Sequence, residues 1–128
     1  MRVHNIYCGA DGESHFRDLE IELSEPRLSG LLSKPQSVGT LMFRQVPPGV
    51  FLDWHNAPQR QYAIVLDGHV QFTTSDAETR VLGAGQVLLV EDTTGKGHQG
   101  RTLEGPAFRA IFVTLPPTAA GSRQTGLQ

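Results

Sequence analysis

The sequence predicts an all-β fold, either a sandwich or a closed barrel, on three observations. Glycine (14 residues) and proline (8 residues) are frequent and scattered, and they cut the chain into short pieces. Segments with strand character recur at intervals of roughly 8–12 residues, the spacing of all-β domains. No long stretch carries the 3.6-residue period of a helix.

The expected strands follow in order. Leu19, Ile21 and Leu23 alternate with Glu20, Glu22 and Ser24, the period of a half-buried strand. Val38–Val46 is a second strand, stopped by Pro47-Pro48-Gly49. Phe51–Asn56 is a third and Gln61–Leu66 a fourth. Asp67-Gly68, a short-hairpin signal, joins the fourth to Val70–Thr74. Residues 79–82 form a short strand before the turn Gly83-Ala84-Gly85. Gln86–Val90 is apolar and β-branched, as in a strand buried on both faces. Phe108–Leu115 is apolar on both faces and suits an inner strand or a dimer interface. Asn5–Glu13 is expected to be a loop or an edge segment. Residues 1–115 are expected to form one domain, followed by a flexible tail at 116–128 that carries no periodicity.

Composition narrows the class. With 128 residues and 38% apolar content, the chain can bury a core without disulfides or a structural metal. A net charge of −2 with interspersed signs gives no basic stripe for nucleic acid. No apolar run is long enough to span a bilayer, and the N-terminus lacks a signal-peptide pattern. The single cysteine, Cys8, has no partner and is expected to be a partly buried small hydrophobe, in keeping with a cytoplasmic protein.

The candidate site centres on two histidines. By strand alternation, Asp53, His55 and Ala57 share one face of the third strand, with Trp54 and Asn56 on the other. His98 follows the polar loop Glu91-Asp92-Thr93-Thr94-Gly95-Lys96-Gly97, whose glycines allow a tight excursion that brings His98 to a rim.

Residues 49–68, GVFLDWHNAPQRQYAIVLDG, resemble the first motif of the cupins: glycine, five residues, His-x-His, three or four residues, glutamate, six residues, glycine. Gly49, His55 and Gly68 match that motif, and Gln61 stands at the carboxylate position. Residues 85–98, GQVLLVEDTTGKGH, resemble the second motif through Gly85 and His98, with about two extra residues in the turn. Sixteen residues separate Gly68 from Gly85, a typical spacing between the motifs. The chain is therefore similar to small single-domain cupins of the RmlC-like superfamily. The resemblance implies a double-stranded β-helix, or jelly-roll barrel, with a pocket in the barrel.

The departures from the family pattern are specific. The second histidine of the first motif is Ala57 here, and its glutamate is Gln61. The proline and glycine of the second motif are replaced by Glu91 and Thr93. The resemblance implies a divalent transition metal (Fe, Mn, Ni or Zn) held by His55, Gln61 and His98. Two imidazoles and one amide carry no ligand charge, so such an ion is held weakly, with positions open for water or substrate. Asp53 and Asp92 are candidates to supply a carboxylate or to move a proton, with Glu91 beside them. Two functions follow: a metal-dependent dioxygenase, lyase or isomerase acting on a small polar oxygenated metabolite, or a metal-free module that binds a small molecule or sugar. A homodimer is expected from the apolar last strand.

Each feature has a plainer alternative. His55 and His98 as ordinary barrel histidines, Gln61 as a backbone-satisfied amide, and Asp53 as a structural carboxylate all fit the sequence. Arg44 and Arg60 are candidates to grip an anion, though solvated arginines are the commoner case. Phe51, Trp54, Tyr62 and Phe72 are expected to fill the barrel or a dimer face, with pocket lining the minor role. His15 is a candidate to fold over the barrel mouth, and His4 and His69 read as surface residues.

Overall fold

The computed structural model describes residues 1–117; the expected tail lies, from residue 118 on, outside the described residues. Twelve strands and no helix make up the described chain: β1 (Arg2–Cys8), β2 (Ser14–Glu20), β3 (Glu25–Arg27), β4 (Gly30–Leu32), β5 (Leu41–Val46), β6 (Phe51–His55), β7 (Gln61–Asp67), β8 (Val70–Thr74), β9 (Thr79–Leu82), β10 (Val87–Val90), β11 (His98–Thr102) and β12 (Phe108–Thr114). A six-stranded sheet runs β2-β1-β10-β7-β12-β5, a four-stranded sheet runs β6-β11-β8-β9, and β3 and β4 form a separate hairpin. This is the all-β jelly-roll architecture expected from the sequence.

The core lies between the two larger sheets. Ile6, Val65 and Leu88 from one sheet join Val70 and Leu82 from the other in one buried cluster. Burial alternates along β7: Gln61, Ala63 and Val65 point inward, while Tyr62 and Ile64 are half-exposed on the other face. Leu88, Leu89 and Val90 of β10 are all buried, as the unbroken apolar run predicts.

Several expectations are corrected. The first strand starts near the N-terminus, and Asn5–Cys8, expected in a loop or edge segment, belong to it. It lies between β2 and β10, parallel to β10 with His4 opposite Leu88. Polar Asn5 masked this strand, yet it is fully buried because its amide donates to Leu89 O (2.9 Å) and Glu91 Oε1 (3.0 Å). The strand expected over residues 19–23 runs instead from Ser14 to Glu20, paired with β1 from Cys8↔Ser14 to Arg2↔Glu20.

Asp67-Gly68 does not close a hairpin. β7 pairs with β10 and β12, whereas β8 pairs with β11 and β9, so this turn carries the chain from one sheet to the other. Gly68 adopts φ +73°, and a Cβ there would sit 2.7 Å from Ala107 O. The sharp corner, rather than a ladder register, is what requires glycine.

His98 does not sit on a rim. It opens β11, a strand between β6 and β8, and is 4% exposed. The glycine excursion is real: Gly95 and Gly97 have φ of +82° and +77°. A Cβ on Gly97 would strike His55 O, so its absence lets β11 close against β6 where the two histidines pair.

Candidate functional site

His55 and His98 are register partners across β6 and β11. Their ring centroids are 4.5 Å apart and the planes are tilted by 56°. Phe72 of β8 meets His98 edge-on at 5.8 Å. Gln61 opens β7 on the facing sheet and is 8% exposed. The three side chains line one cavity of about 690 Å³, whose other walls are mainly apolar, among them Val46, Ala63, Phe72, Phe108 and Phe112. The folded chain thus brings together three residues that the sequence separates by up to forty-three positions.

Each imidazole is oriented from behind. His98 Nδ1 lies 2.6 Å from Asp92 Oδ2, and Asp92 is completely buried. His55 Nδ1 lies 2.7 Å from Asp53 O. A carbonyl only accepts, and so does an ionised carboxylate, so both Nδ1 atoms carry the proton and donate. A ring so bonded keeps its Nε2 lone pair in the neutral form, and neither Nε2 has a hydrogen-bond partner among the described residues. The Gln61 side chain also makes no hydrogen bond with any described residue, which removes the backbone-satisfied alternative for it.

The two candidate carboxylates occupy different places. Asp92 is absent from the cavity wall and stands behind His98. Its Oδ1 is buried and unpartnered among the described residues, which leaves His98 as its one side-chain contact. Asp53 borders the cavity, but not on the face of His55. His98 and Gly100, two residues apart, pair with His55 and Leu52, three apart. That bulge in β6 shifts the alternation, so Leu52 shares His55's face. Gln99, on the outer side of β11, donates to Asp53 Oδ1 at 2.9 Å. This amide, with the backbone N–H of Trp54, holds the Asp53 carboxyl below its usual range.

Sequence reasoning missed the clamp around the site. Asn56 Nδ2 donates to Asp92 O (3.2 Å) and Gly95 O (3.1 Å), and Ala57 N donates to Asp92 O (3.2 Å). Ser14 Oγ donates to Gly97 O at 2.6 Å. The end of β6 and the loop before β11 are thereby locked to each other. The alternation that turned Asn56 away from His55 was the available signal; its target on the loop was not.

Other candidates resolve differently. Arg60 is paired with Glu91 at 2.9 Å and does not line the cavity, whereas Arg44 does. Phe72 packs against the buried core, as expected, and also borders the cavity, as does the half-exposed Phe51; Trp54 is 47% exposed outside it. His15 does not cover the mouth. It is bound between Asp76 (2.8 Å) and Asp11 (3.1 Å), and the Asp11 carboxylate, with help from Asp76 and against partial burial, raises its pKa. His69 is exposed, but His4 is half-buried beside Arg80 (3.0 Å); burial, then the guanidinium, lowers its pKa. Cys8 is free and half-buried.

The donor set can be tested against a metal. Among the described residues no group of three His, Cys, Asp or Glu gathers around one point. Two imidazoles with backed Nδ1 atoms and one free amide do fit a borderline divalent ion, because metal-ligating histidines donate their second N–H in this way. All three donors are neutral, which suits a weakly held ion with open positions.

Comparison with known proteins supports the fold. No family model matches the sequence, and no curated protein matches it. The cupin domain of Cnp3 from Schizosaccharomyces pombe superposes with a TM-score of 0.50 at 17% identity, covering 81% of this chain and 73% of that one. A conserved protein of unknown function from Streptococcus pyogenes gives 0.48 at 22% identity, covering 69% and 72%. A cupin-2 domain protein from Shewanella frigidimarina gives 0.47 at 18% identity, covering 59% and 69%. The chain has the fold of a small cupin domain. No helix of the described residues is long and apolar enough to cross a membrane.

Asp92→Ala is expected to leave the buried Nδ1–H of His98 without an acceptor and to lower stability by about 1–3 kcal/mol. Urea denaturation measures this, and an unchanged midpoint would show that the carboxylate does not hold the ring.

Proposed function

We propose that this chain is a metal-dependent cupin enzyme acting on a small molecule whose oxygen-bearing end meets His55, Gln61 and His98. One observation carries the reading. Two imidazoles 4.5 Å apart each have Nδ1 bonded to an acceptor, leaving Nε2 free in a cavity. The residues that would hold the ion are His55 and His98, with Gln61 as a neutral third donor. A bound divalent ion would supply Lewis-acid polarisation of a ligand oxygen.

The chain's own groups do the rest. Asp92 is a positioning residue that fixes the His98 tautomer. The Gln61 amide offers both an acceptor and a donor to a substrate hydroxyl or carbonyl. Asp53 is not used in this reading: its carboxyl turns to the outer side of β11, and the Gln99 amide and the Trp54 N–H hold it below its usual range, which makes it a poor proton acceptor. The buried apolar walls, Ala63, Val90 and Phe108 among them, strengthen these contacts. A metal-free binding module is the second reading, favoured because no three His, Cys, Asp or Glu among the described residues are grouped so as to hold a metal ion.

The chain also suits a cytoplasmic homodimer. β5 and β6 are open edges of their sheets, and Met42, Phe43, Phe51, Leu52 and Trp54 on them are exposed. A second copy covering this ridge would also narrow the cavity mouth, since all but Trp54 border it.

Metal content of the purified untagged protein distinguishes the two readings. Dialysed against a low concentration of Zn(II) or Mn(II), the chain is expected to take up one ion, with loss in His55→Ala and in His98→Ala. Gln61→Glu is expected to tighten retention by about tenfold or more, because it adds charge to a neutral donor set. No metal in any of these folded proteins would leave the binding module. Light scattering at micromolar concentration is expected to give twice the chain mass, and a monomer would count against the dimer.

A further inference from the structure

We infer that the ligand of this cavity is an apolar-bodied carboxylate whose anionic head is held by Arg44. The inference rests on the cavity being the ligand site, as proposed above, and it names the class of ligand.

Arg44 lies on the edge strand β5, on the side of the six-stranded sheet that faces the cavity by register, and is exposed at the cavity mouth. In β5 it alternates with Val46 and Met42, and all three line the cavity. Its register partner is Ala110 of β12, itself opposite Val65 of β7, and both are buried. Arg2, Arg17, Arg60, Arg80 and Arg109 each meet a carboxylate elsewhere in this chain. Arg44 has no carboxylate partner among the described residues. Its guanidinium lies 5.8 Å from the centroid of the Phe112 ring, another wall residue. A guanidinium so placed keeps its fork of donors free for a ligand.

The cavity is therefore polar at two places and apolar between them. Val65, the register neighbour of Arg44, is four residues along β7 from Gln61, about 13 Å. Ala63 and Phe112, register partners at the level between the two, form the intervening wall, and Phe72 of the other sheet lines the same cavity. Gln61, more than nine-tenths buried and without a hydrogen bond among the described residues, waits at the other end with the imidazoles. The other arginine bordering the cavity, Arg101, also lacks a carboxylate partner, but it alternates outward on β11 and sits over Phe51 at 5.1 Å, so one inward guanidinium is left to balance one negative charge. That matches a carboxylate, which it can grip by two parallel hydrogen bonds, better than a phosphate monoester near −2. The apolar middle demands a hydrocarbon or aryl body, so a sugar, polar along its whole length, does not suit it.

Calorimetric titration of the full chain with octanoate, octanamide and octyl phosphate tests this. Octanoate is expected to bind about tenfold or more tighter than octanamide, and more tightly than octyl phosphate. Arg44→Gln is expected to abolish the preference over octanamide while leaving octanamide affinity unchanged. Arg44→Lys keeps the charge without the fork and is expected to retain only part of it. Equal binding of octanoate and octanamide, a preference that survives in Arg44→Gln, or tightest binding of octyl phosphate would overturn the inference and leave the cavity reading standing. Binding of none of the three to the wild-type chain would overturn both.

Discussion

The hydrogen bond between the Asp92 carboxylate and His98 is the constraint on which the site depends. A fully buried carboxylate is costly unless paired, and this one has a single side-chain partner. The bond fixes which ring nitrogen of His98 carries the proton and which way the ring faces. Asn56 and Gly97 extend the constraint: one clamps the loop that carries Asp92, and the other lets β11 approach His55. His55, backed by a backbone carbonyl, completes a pair of imidazoles that present the same free nitrogen. Everything proposed about ligands starts from that pair.

The surroundings decide what the pair can do. Donors that are neutral hold a metal less firmly than a carboxylate-bearing set and leave more room for a substrate oxygen. The cavity has apolar walls, so a polar group that enters it must be met by one of the few unpartnered polar groups there. Arg44 and the Gln61–histidine group lie at separate levels along the strands, which favours an elongated ligand over a compact one.

Much of this was legible in the sequence. Val70–Thr74 and residues 79–82 fell where the alternation placed them, and the apolar run at 87–90 is buried as expected. His55 and Gln61 lie on strands that the sequence showed, whereas β11, which carries His98, was not foreseen; the three line one cavity. What was not legible depended on partners far along the chain. Asn5 looks like a loop residue until the backbone of β10 satisfies its amide. Asp-Gly at 67–68 has hairpin chemistry, yet the flanking strands find partners in different sheets. The bulge that turns Asp53 away from His55 appears only in the register with β11. Arg44 and Arg60 looked alike in sequence, and only the distant Glu91 separates them.

The account is tested most directly by the protonation state of the two rings in solution. Long-range proton–nitrogen correlation spectra of the histidine-labelled protein at neutral pH report which ring nitrogen bears hydrogen. His55 and His98 are both expected as Nδ1–H tautomers with bare Nε2 in the metal-free protein, and Asp92→Ala is expected to release His98 alone from that state. Nε2–H tautomers in the wild-type protein, or a His98 signal indifferent to Asp92, would contradict the arrangement on which the site is built.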